Sequence, residues 1–367
     1  MLNITYIFSR GRKNLISNNL DFAKDFFYGF FYFQSQGHNL EIIEFENNNS
    51  FLIYFDKFMN KFLKLPFSTH QITRLKNIKI LNKTDHLFLV NDNVACSSIF
   101  LLIYLKLFSK TKVTFFVMGL YSKKVKNAFV QKIHFLVIKF LIIFIDNLVF
   151  LGEGEYEIAK KIHKKNNNLF FIPFCVDTEF WKVEKEYNPS NQEYILFIGN
   201  DGNRDYILLK NLIKQCKQFK FKVVSQNSEI KNLKLKNLEV LKGKWDEYIL
   251  SDKNIRELYI NSKFVIIPLK ESYQPSGQSV ALQAMSCKIP VVISLTKGFW
   301  DKKNFINYEN IIFIEEDNLV TWKSKITSLY KENYILKNVS NKSIETINKN
   351  YDIKNFNKQI EEIMLLS

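Results

Sequence analysis

Glycine and proline are scarce, 11 and 6 in 367 residues, too few for a collagen-like or linker-dominated chain. Arginine is scarcer still: of 52 basic residues only Arg10, Arg12, Arg74, Arg204 and Arg256 are Arg, and the other 47 are Lys. The four cysteines (Cys96, Cys175, Cys216, Cys287) are far apart and form no CxxC pair. That pattern argues against a disulfide frame or a zinc site and suits free thiols in a reducing compartment. His38, His70, His86, His134 and His163 show no ligand spacing, and no carboxylate pair or DxD-type triplet calls for a metal. Long apolar runs are missing too. The longest nearly apolar stretch, Phe135–Phe150, contains Lys139 and Asp146 and falls short of the roughly 18 uninterrupted residues of a membrane span. Arg10, Arg12 and Lys13 interrupt the N-terminus before a signal core can form. The expected location is therefore cytoplasmic.

What is present describes a folded chain. Hydrophobic residues make up 47% and charged residues 24%, which excludes a disordered tail protein. The length predicts two domains. The formal charge of +16 raises a nucleic-acid reading, but no helix-turn-helix, zinc-finger or RNA-recognition signature accompanies it. Nucleic acid is not the expected partner on this ground. Much of the lysine excess reads as solvated surface. Residues 101–150 are less bland: Lys106, Lys110, Lys112, Lys123, Lys124, Lys126, Lys132 and Lys139 face a single acid, Asp146. They are interleaved with Phe115, Phe116, Tyr121, Phe129, Phe135 and Phe140. Lysine beside aromatic and aliphatic side chains suits an anionic membrane surface, so peripheral association with the inner face of the cytoplasmic membrane is expected.

Short β-branched and aromatic runs alternate with amphipathic stretches along the whole chain. Strands are predicted at Asn3–Phe8, Asn39–Phe45, His86–Val90, Lys112–Val117, Asn147–Leu151 and Asn168–Ile172. In the second half they fall at Tyr194–Ile198, Phe219–Val224, Leu238–Leu241, Phe264–Pro268, Pro290–Ser294 and Ile311–Ile314. Helices are predicted over Asp21–Gln34, Tyr156–Lys164, Asp205–Gln215, Asp252–Asn261 and Gln278–Cys287, and the last stretch, Asn338–Ser367, also reads as helical. Strand–helix alternation means parallel sheets covered on both faces. Two such halves predict an α/β chain of two Rossmann-like domains facing across a cleft. The expected boundaries are residues 1–176 for an N-terminal domain and 177–192 for a linker. Residues 193–345 are expected to form a C-terminal domain, and 346–367 a helix packing back toward the N-terminal domain.

Ligands of open α/β sheets bind beyond the carboxyl ends of the strands. After the first strand of the second half come Gly199, Asn200, Asp201, Gly202, Asn203 and Arg204. This glycine-bearing turn can bring amides and a guanidinium to a diphosphate; the bland alternative is an ordinary turn with an exposed arginine. Arg10 and Arg12 occupy the corresponding loop of the first half. Further on, the strand ending at Pro268 leads through Glu271 and Gln274 into Pro275-Ser276-Gly277-Gln278-Ser279 and a helix. Ser276 is the expected N-cap, and the helix start is an anion site. Two anion-ready loops in one domain suit a pyrophosphate. Asn91-Asp92-Asn93 and Gly152-Glu153-Gly154-Glu155, after the third and fifth strands, place Asp92 and Glu153 as cleft-edge candidates, with turn and cap chemistry as their alternative role.

These residues resemble the family 4 (group 1) glycosyltransferases of GT-B architecture. The likeness rests on Leu258-Tyr259, Gln283-Ala284-Met285 and Ile289-Pro290-Val291-Val292, together with Phe171-Ile172-Pro173-Phe174-Cys175-Val176-Asp177. It covers roughly residues 168–300. The resemblance implies a hexosyltransferase-type enzyme that takes sugar from a nucleotide-diphospho-sugar, retaining and metal-independent. No cofactor is implied beyond that donor, which is itself a substrate. The implied acceptor is a hydroxyl of a glycan or lipid-linked molecule, as in cell-surface polysaccharide synthesis. It also implies that Gly199, Asn200, Arg204, Ser276, Gly277, Gln278, Ser279 and Gln283 hold the donor. Arg10, Arg12, Asp92, Gly119 and Glu153 then line the acceptor side. Two departures stand out. The family's paired glutamates are replaced by Pro275 and Gln283, leaving Glu271 as the nearest acid, so Glu271 and Arg204 become the expected catalytic residues. Where the family often has a histidine, this chain has Met118-Gly119-Leu120. A donor-binding protein with impaired catalysis and a nucleotide-sugar epimerase remain the alternative readings.

Overall fold

A computed structural model describes residues 1–366 except 19, 20, 124, 126, 164–167 and 244–248. Lys124, Lys126, Lys164 and Ser367, which enter the predictions above, lie outside the described residues. The chain divides into two compact units. One comprises residues 1–20, 27–172 and 356–367; the other comprises 21–26 and 173–355.

The first unit is built on a six-stranded parallel sheet of β1 (Asn3–Phe8), β2 (Asn39–Glu44), β3 (His86–Leu89), β4 (Lys112–Val117), β5 (Asn147–Phe150) and β6 (Leu169–Phe171). The strand order is β2-β1-β3-β4-β5-β6. Its central strands are buried on both faces, as their unbroken apolar runs require. Aromatic rings fill much of the core: Tyr6 stacks on Phe88 at 4.7 Å, Phe88 on Phe116 at 5.9 Å, and Phe116 on Phe356 at 6.1 Å. The helices used below are α1 (Leu52–Leu63), α2 (Ile99–Phe108), α3 (Ala128–Ile142) and α4 (Glu153–Ile162).

The second unit carries β7 (Tyr194–Ile198), β8 (Phe221–Val224), β9 (Leu238–Leu241), β10 (Ser262–Ile267), β11 (Val291–Ser294) and β12 (Ile312–Ile314). Its order is β12-β11-β10-β7-β8-β9, again all parallel. Counted from its own first strand this is the Rossmann order, whose switch point lies between β7 and β10. Helices α5 (Tyr206–Gln215), α6 (Asp252–Ile260) and α7 (Gln278–Ser286) follow β7, precede β10 and follow β10. The C-terminal region forms α8 (Asn333–Asn350) and α9 (Ile353–Leu366), and the second of these lies mostly in the first unit. Among the described residues no helix is long and apolar enough to cross a membrane.

One predicted helix does not form. Residues 21–34 do not make a single helix; they give a 3₁₀ turn at Asp25–Phe27 and a short helix at Phe30–Ser35. Tyr28 (φ 50°) and Gly29 (φ 90°) separate them in left-handed conformations. The start of the segment is held by distant side chains: Ala23 N–H donates to Asp252 Oδ2 at 2.9 Å and Lys24 N–H to Asp177 Oδ2 at 3.1 Å. The segment 21–26 is a strap seated on the second unit.

Candidate functional site

The carboxyl ends of β7 and β10 carry the two turns singled out in the sequence, and the structure joins them. Asp205 N–H donates to Pro268 O at 3.0 Å and Lys270 N–H to Asn203 O at 2.8 Å. Asn203 Nδ2 donates to Gln274 Oε1 at 2.9 Å and to Ser276 Oγ at 2.8 Å. The loop after β10 is held from its other side by Glu271, whose Oε1 accepts Lys297 N–H at 2.9 Å. Gly298 lies so close that a β-carbon there would stand 2.5 Å from Gln274 O.

Arg204 lies between these turns. Its side chain is 4% exposed. A β-carbon on Gly199 would sit 2.6 Å from Arg204 Nε, and one on Gly277 3.3 Å from Nη1. Neither Nε–H nor Nη1–H makes a hydrogen bond; the nearest counter-charge is Asp201 Oδ2, 3.3 Å from Nη1. A buried guanidinium with donors unspent carries a desolvation cost that a bound anion would offset.

The start of α7 differs from expectation. Gly277, at φ 80°, is the N-cap, and no side chain caps the helix. Ser276 is displaced from that role because the turn demands a left-handed residue, and its hydroxyl accepts Asn203 Nδ2 instead. The first turn of α7 also carries no acidic side chain, so the positive end of the helix favours an anion there.

Beside Arg204 opens a cavity of about 450 Å³. Its polar wall includes Asn200, Asp201, Arg204, Ser279 and Gln283; its apolar wall includes Phe26, Val224, Leu250 and Ile255. Such a cavity suits a ligand with one anionic end and one flat apolar end. The polar residues are not equally available. Asn200 is spent on the scaffold, its Nδ2 donating to Gly243 O at 2.6 Å and its Oδ1 accepting Gln226 N–H at 2.6 Å. Gln283 is engaged at both ends: Nε2 donates to Asp25 Oδ2 at 2.8 Å, and Oε1 accepts from Tyr259 Oη at 3.3 Å. Asp25, wholly buried, also accepts Trp181 Nε1–H at 2.9 Å and Asp177 N–H at 2.5 Å. Burial pushes its carboxyl up to about 7, against the pull of these donors. Asp25 and Phe26 were not among the sequence candidates.

In the first unit the residues after β1 and β3 are engaged in local bonds. Arg10 Nη2 donates to Asn47 Oδ1 at 2.6 Å and Gln71 Oε1 at 3.0 Å. Arg12 N–H donates to Glu44 Oε1 at 2.5 Å, and its guanidinium stands 5.6 Å over the Phe8 ring. Asp92 is buried, accepts Met118 N–H at 3.1 Å, and is pushed up to about 6 by burial. Gly119 takes a φ of 131° that favours glycine. Glu153 is half-buried in the first turn of α4, whereas Glu155, two residues on, is wholly buried. Glu155 Oε1 accepts Tyr121 N–H at 2.9 Å, and burial followed by the nearby charge of Asp92 holds its carboxyl well above the usual range. Its signal was readable: Glu155 and Ala159 share the buried face of α4.

No protein-family model matches the sequence, nor does any curated protein. Solved structures do match in fold. HepE of Anabaena, in complex with UDP-glucose, superposes with a TM-score of 0.68 at 12% identity over 100% of both chains. Sucrose-phosphate synthase from Thermosynechococcus elongatus gives 0.69 at 13% identity over 100% of this chain and 99% of that one. A glycosyltransferase from Rickettsia africae gives 0.66 at 13% identity, covering 99% and 97%. The chain has the two-Rossmann, GT-B fold of these proteins.

Proposed function

We propose that this chain is a glycosyltransferase of the family 4 kind, moving a hexose from a nucleotide-diphospho-sugar to a hydroxyl of a glycan or lipid-linked acceptor. Retention of configuration and independence of metal belong to the same reading, as does a cytoplasmic role in cell-surface polysaccharide synthesis. The observation that carries it is Arg204: a buried guanidinium with two unspent N–H donors, set between Gly199 and Gly277 at the switch point of a Rossmann sheet. Negative charge grows on the diphosphate as the bond to the sugar breaks, and fixed donors aimed at that charge lower the barrier without reorganising. Arg204 and the start of α7 supply such donors, and the leaving phosphate oxygen takes the acceptor's proton. The apolar wall of Phe26, Val224 and Leu250 receives the base. Glu271, exposed in the loop that precedes α7, is proposed to meet the sugar.

The test is a thermal-shift series of the full chain with UDP, GDP, ADP and their glucose conjugates. Binding to the folded state raises the melting temperature; the UDP-glucose complex of a structural neighbour makes UDP the first choice. A flat response to every nucleotide diphosphate would end the proposal. A second reading, a donor-binding protein with little turnover, is favoured by Gln283 being spent on Asp25 and Tyr259 and by Pro275 standing where the family has a glutamate. Sugar release or transfer above the uncatalysed rate removes it.

A further inference from the structure

The first unit presents a surface that the sugar-transfer reading does not use. Every exposed phenylalanine among the described residues lies on α1, α2 or α3 or at the start of α1: Phe51, Phe58, Phe62, Phe100, Phe108, Phe129 and Phe140. On α1 the exposed apolar residues are Phe51, Tyr54, Phe58 and Phe62, a 3-4-4 spacing that makes one stripe within about 80° of arc. On α3 the stripe is Phe129, Leu136 and Phe140, continued by Ile143. The opposite face of α3 is spent on the core through His134, Ile138 and Leu141. The helices adjoin. His134 Nδ1 bonds Leu63 O at 2.7 Å, tying α3 to the end of α1, and the Phe55 and Phe100 rings lie 5.6 Å apart between α1 and α2.

The charge on these helices has one sign. Lys57 and Lys61 flank the stripe of α1, Lys132 and Lys139 that of α3, and Lys106 is exposed on α2. The only acid in all three helices, Asp56, is buried and consumed by Thr69 and His70. Exposed rings that cluster on neighbouring helices and are rimmed by charge mark an interaction surface, where single scattered ones would not. The pattern selects among partners. Nucleic acid would leave the phenylalanine stripes without a role and would find no arginine on these helices. A second copy would bring lysine against lysine. A bilayer with anionic headgroups satisfies both halves of the pattern at once, taking the rings into the headgroup–acyl boundary and the lysines to the headgroup charge.

We propose that α1, α2 and α3 together form a docking face for an anionic lipid bilayer, with Phe58 and Phe140 inserting and Lys57, Lys61, Lys132 and Lys139 pairing with headgroups. This stands independently of the sugar-transfer reading, because vesicle binding needs no donor and no turnover.

The experiment is co-sedimentation of the full chain with phosphatidylcholine vesicles, with and without phosphatidylglycerol. Three variants accompany it: Phe58→Ser with Phe140→Ser; Lys57→Gln with Lys61→Gln, Lys132→Gln and Lys139→Gln; and a control, Ile207→Ser with Val320→Ser, at exposed positions of the second unit. All positions changed are on the surface, and melting curves confirm that each variant is folded. The expected result is binding to phosphatidylglycerol vesicles that weakens with added salt. Partitioning should fall about tenfold or more in each of the first two variants and stay unchanged in the control. Absence of binding to the anionic vesicles overturns the proposal. So does equal binding to both lipid compositions, or binding that neither variant alters. A concentration-dependent dimer in light scattering that Phe58→Ser abolishes also overturns it, by giving the face to a second copy.

Discussion

Arg204 and Gly277 are in contact across two loops that are more than seventy residues apart in the chain: a β-carbon on Gly277 would stand 3.3 Å from the Arg204 Nη1 atom and 2.8 Å from Ile267 Cγ2. Gly277 also holds φ at 80°. Replacing it with alanine strains the backbone and crowds the guanidinium together, at a cost of about 1–3 kcal/mol. Gly199→Ala acts from the opposite side, against Arg204 Nε. Both variants are expected to weaken nucleotide-diphosphate binding by about tenfold or more. Gly202→Ala, with nothing within 4 Å, should leave binding within about twofold. Calorimetric titration of the three variants checks the ranking.

Arg204 itself opposes stability and function. With Nε–H and Nη1–H unspent and its buried charge met only by Asp201 at 3.3 Å, replacement by Met removes a desolvation cost of about 1–3 kcal/mol and is expected to raise the melting temperature of the ligand-free chain. The same change should lower kcat/KM by roughly 10²–10³. A destabilised Arg204→Met variant would mean that the guanidinium holds the loops together instead of waiting for an anion.

Asp25 predicts a pH dependence with a definite sign. Its folded-state value, about 7, lies above the ordinary carboxylate value of 3.8, so between those limits the folded chain binds more protons than the unfolded one. Stability from this group is fully present below about pH 4 and is lost as pH rises through about 7. Asp25→Asn lacks that slope. Its melting temperature relative to the parent should rise steadily from about pH 4 to about pH 7 and then level off. A difference that stays constant across this window would show that Asp25 titrates normally.

Gly298→Ala tests the outer support of the loop before α7. A β-carbon there would come within 2.5 Å of backbone atoms of both Tyr273 and Gln274, which cannot yield as a side-chain tip can. The loop must shift, and Asn203 would lose its grip on Gln274 and Ser276. A lower melting temperature together with weaker nucleotide binding is expected, with buried-loop strain of about 1–3 kcal/mol.

The sheets were legible because their information is local. Runs such as Lys112–Val117 and Tyr194–Ile198 are β-rich, buried on both faces and bounded by turns, and β4 and β7 occupy those residues. Position after a strand likewise located Arg204 and the start of α7. Where the reading failed, a distant part of the chain had intervened. Residues 21–34 carry helical periodicity, yet Ala23 and Lys24 give their amides to Asp252 and Asp177, partners that no local window contains. Gln283 looked available for a ligand because Asp25, which occupies its amide, is 258 positions away. The Ser276 cap was a different kind of miss. The cap position is left-handed, which favours Gly277 over the serine that precedes it.

The strap at residues 21–26 has a consequence for dissecting the molecule. It is encoded within the first 30 residues but belongs to the body made by residues 173–355. A cut after Ile172 would therefore separate Asp25 from Gln283, Trp181 and the Asp177 amide together. The trailing fragment would keep three donors with their shared acceptor gone, and its cavity would lose the Phe26 wall. During synthesis the same linkage imposes an order: the leading segment emerges with its aromatic and acidic side chains uncovered and finds its seat only after the residues around Gln283 have followed. The excised trailing piece should accordingly recover native packing around Gln283 only when a peptide spanning the strap is supplied alongside it.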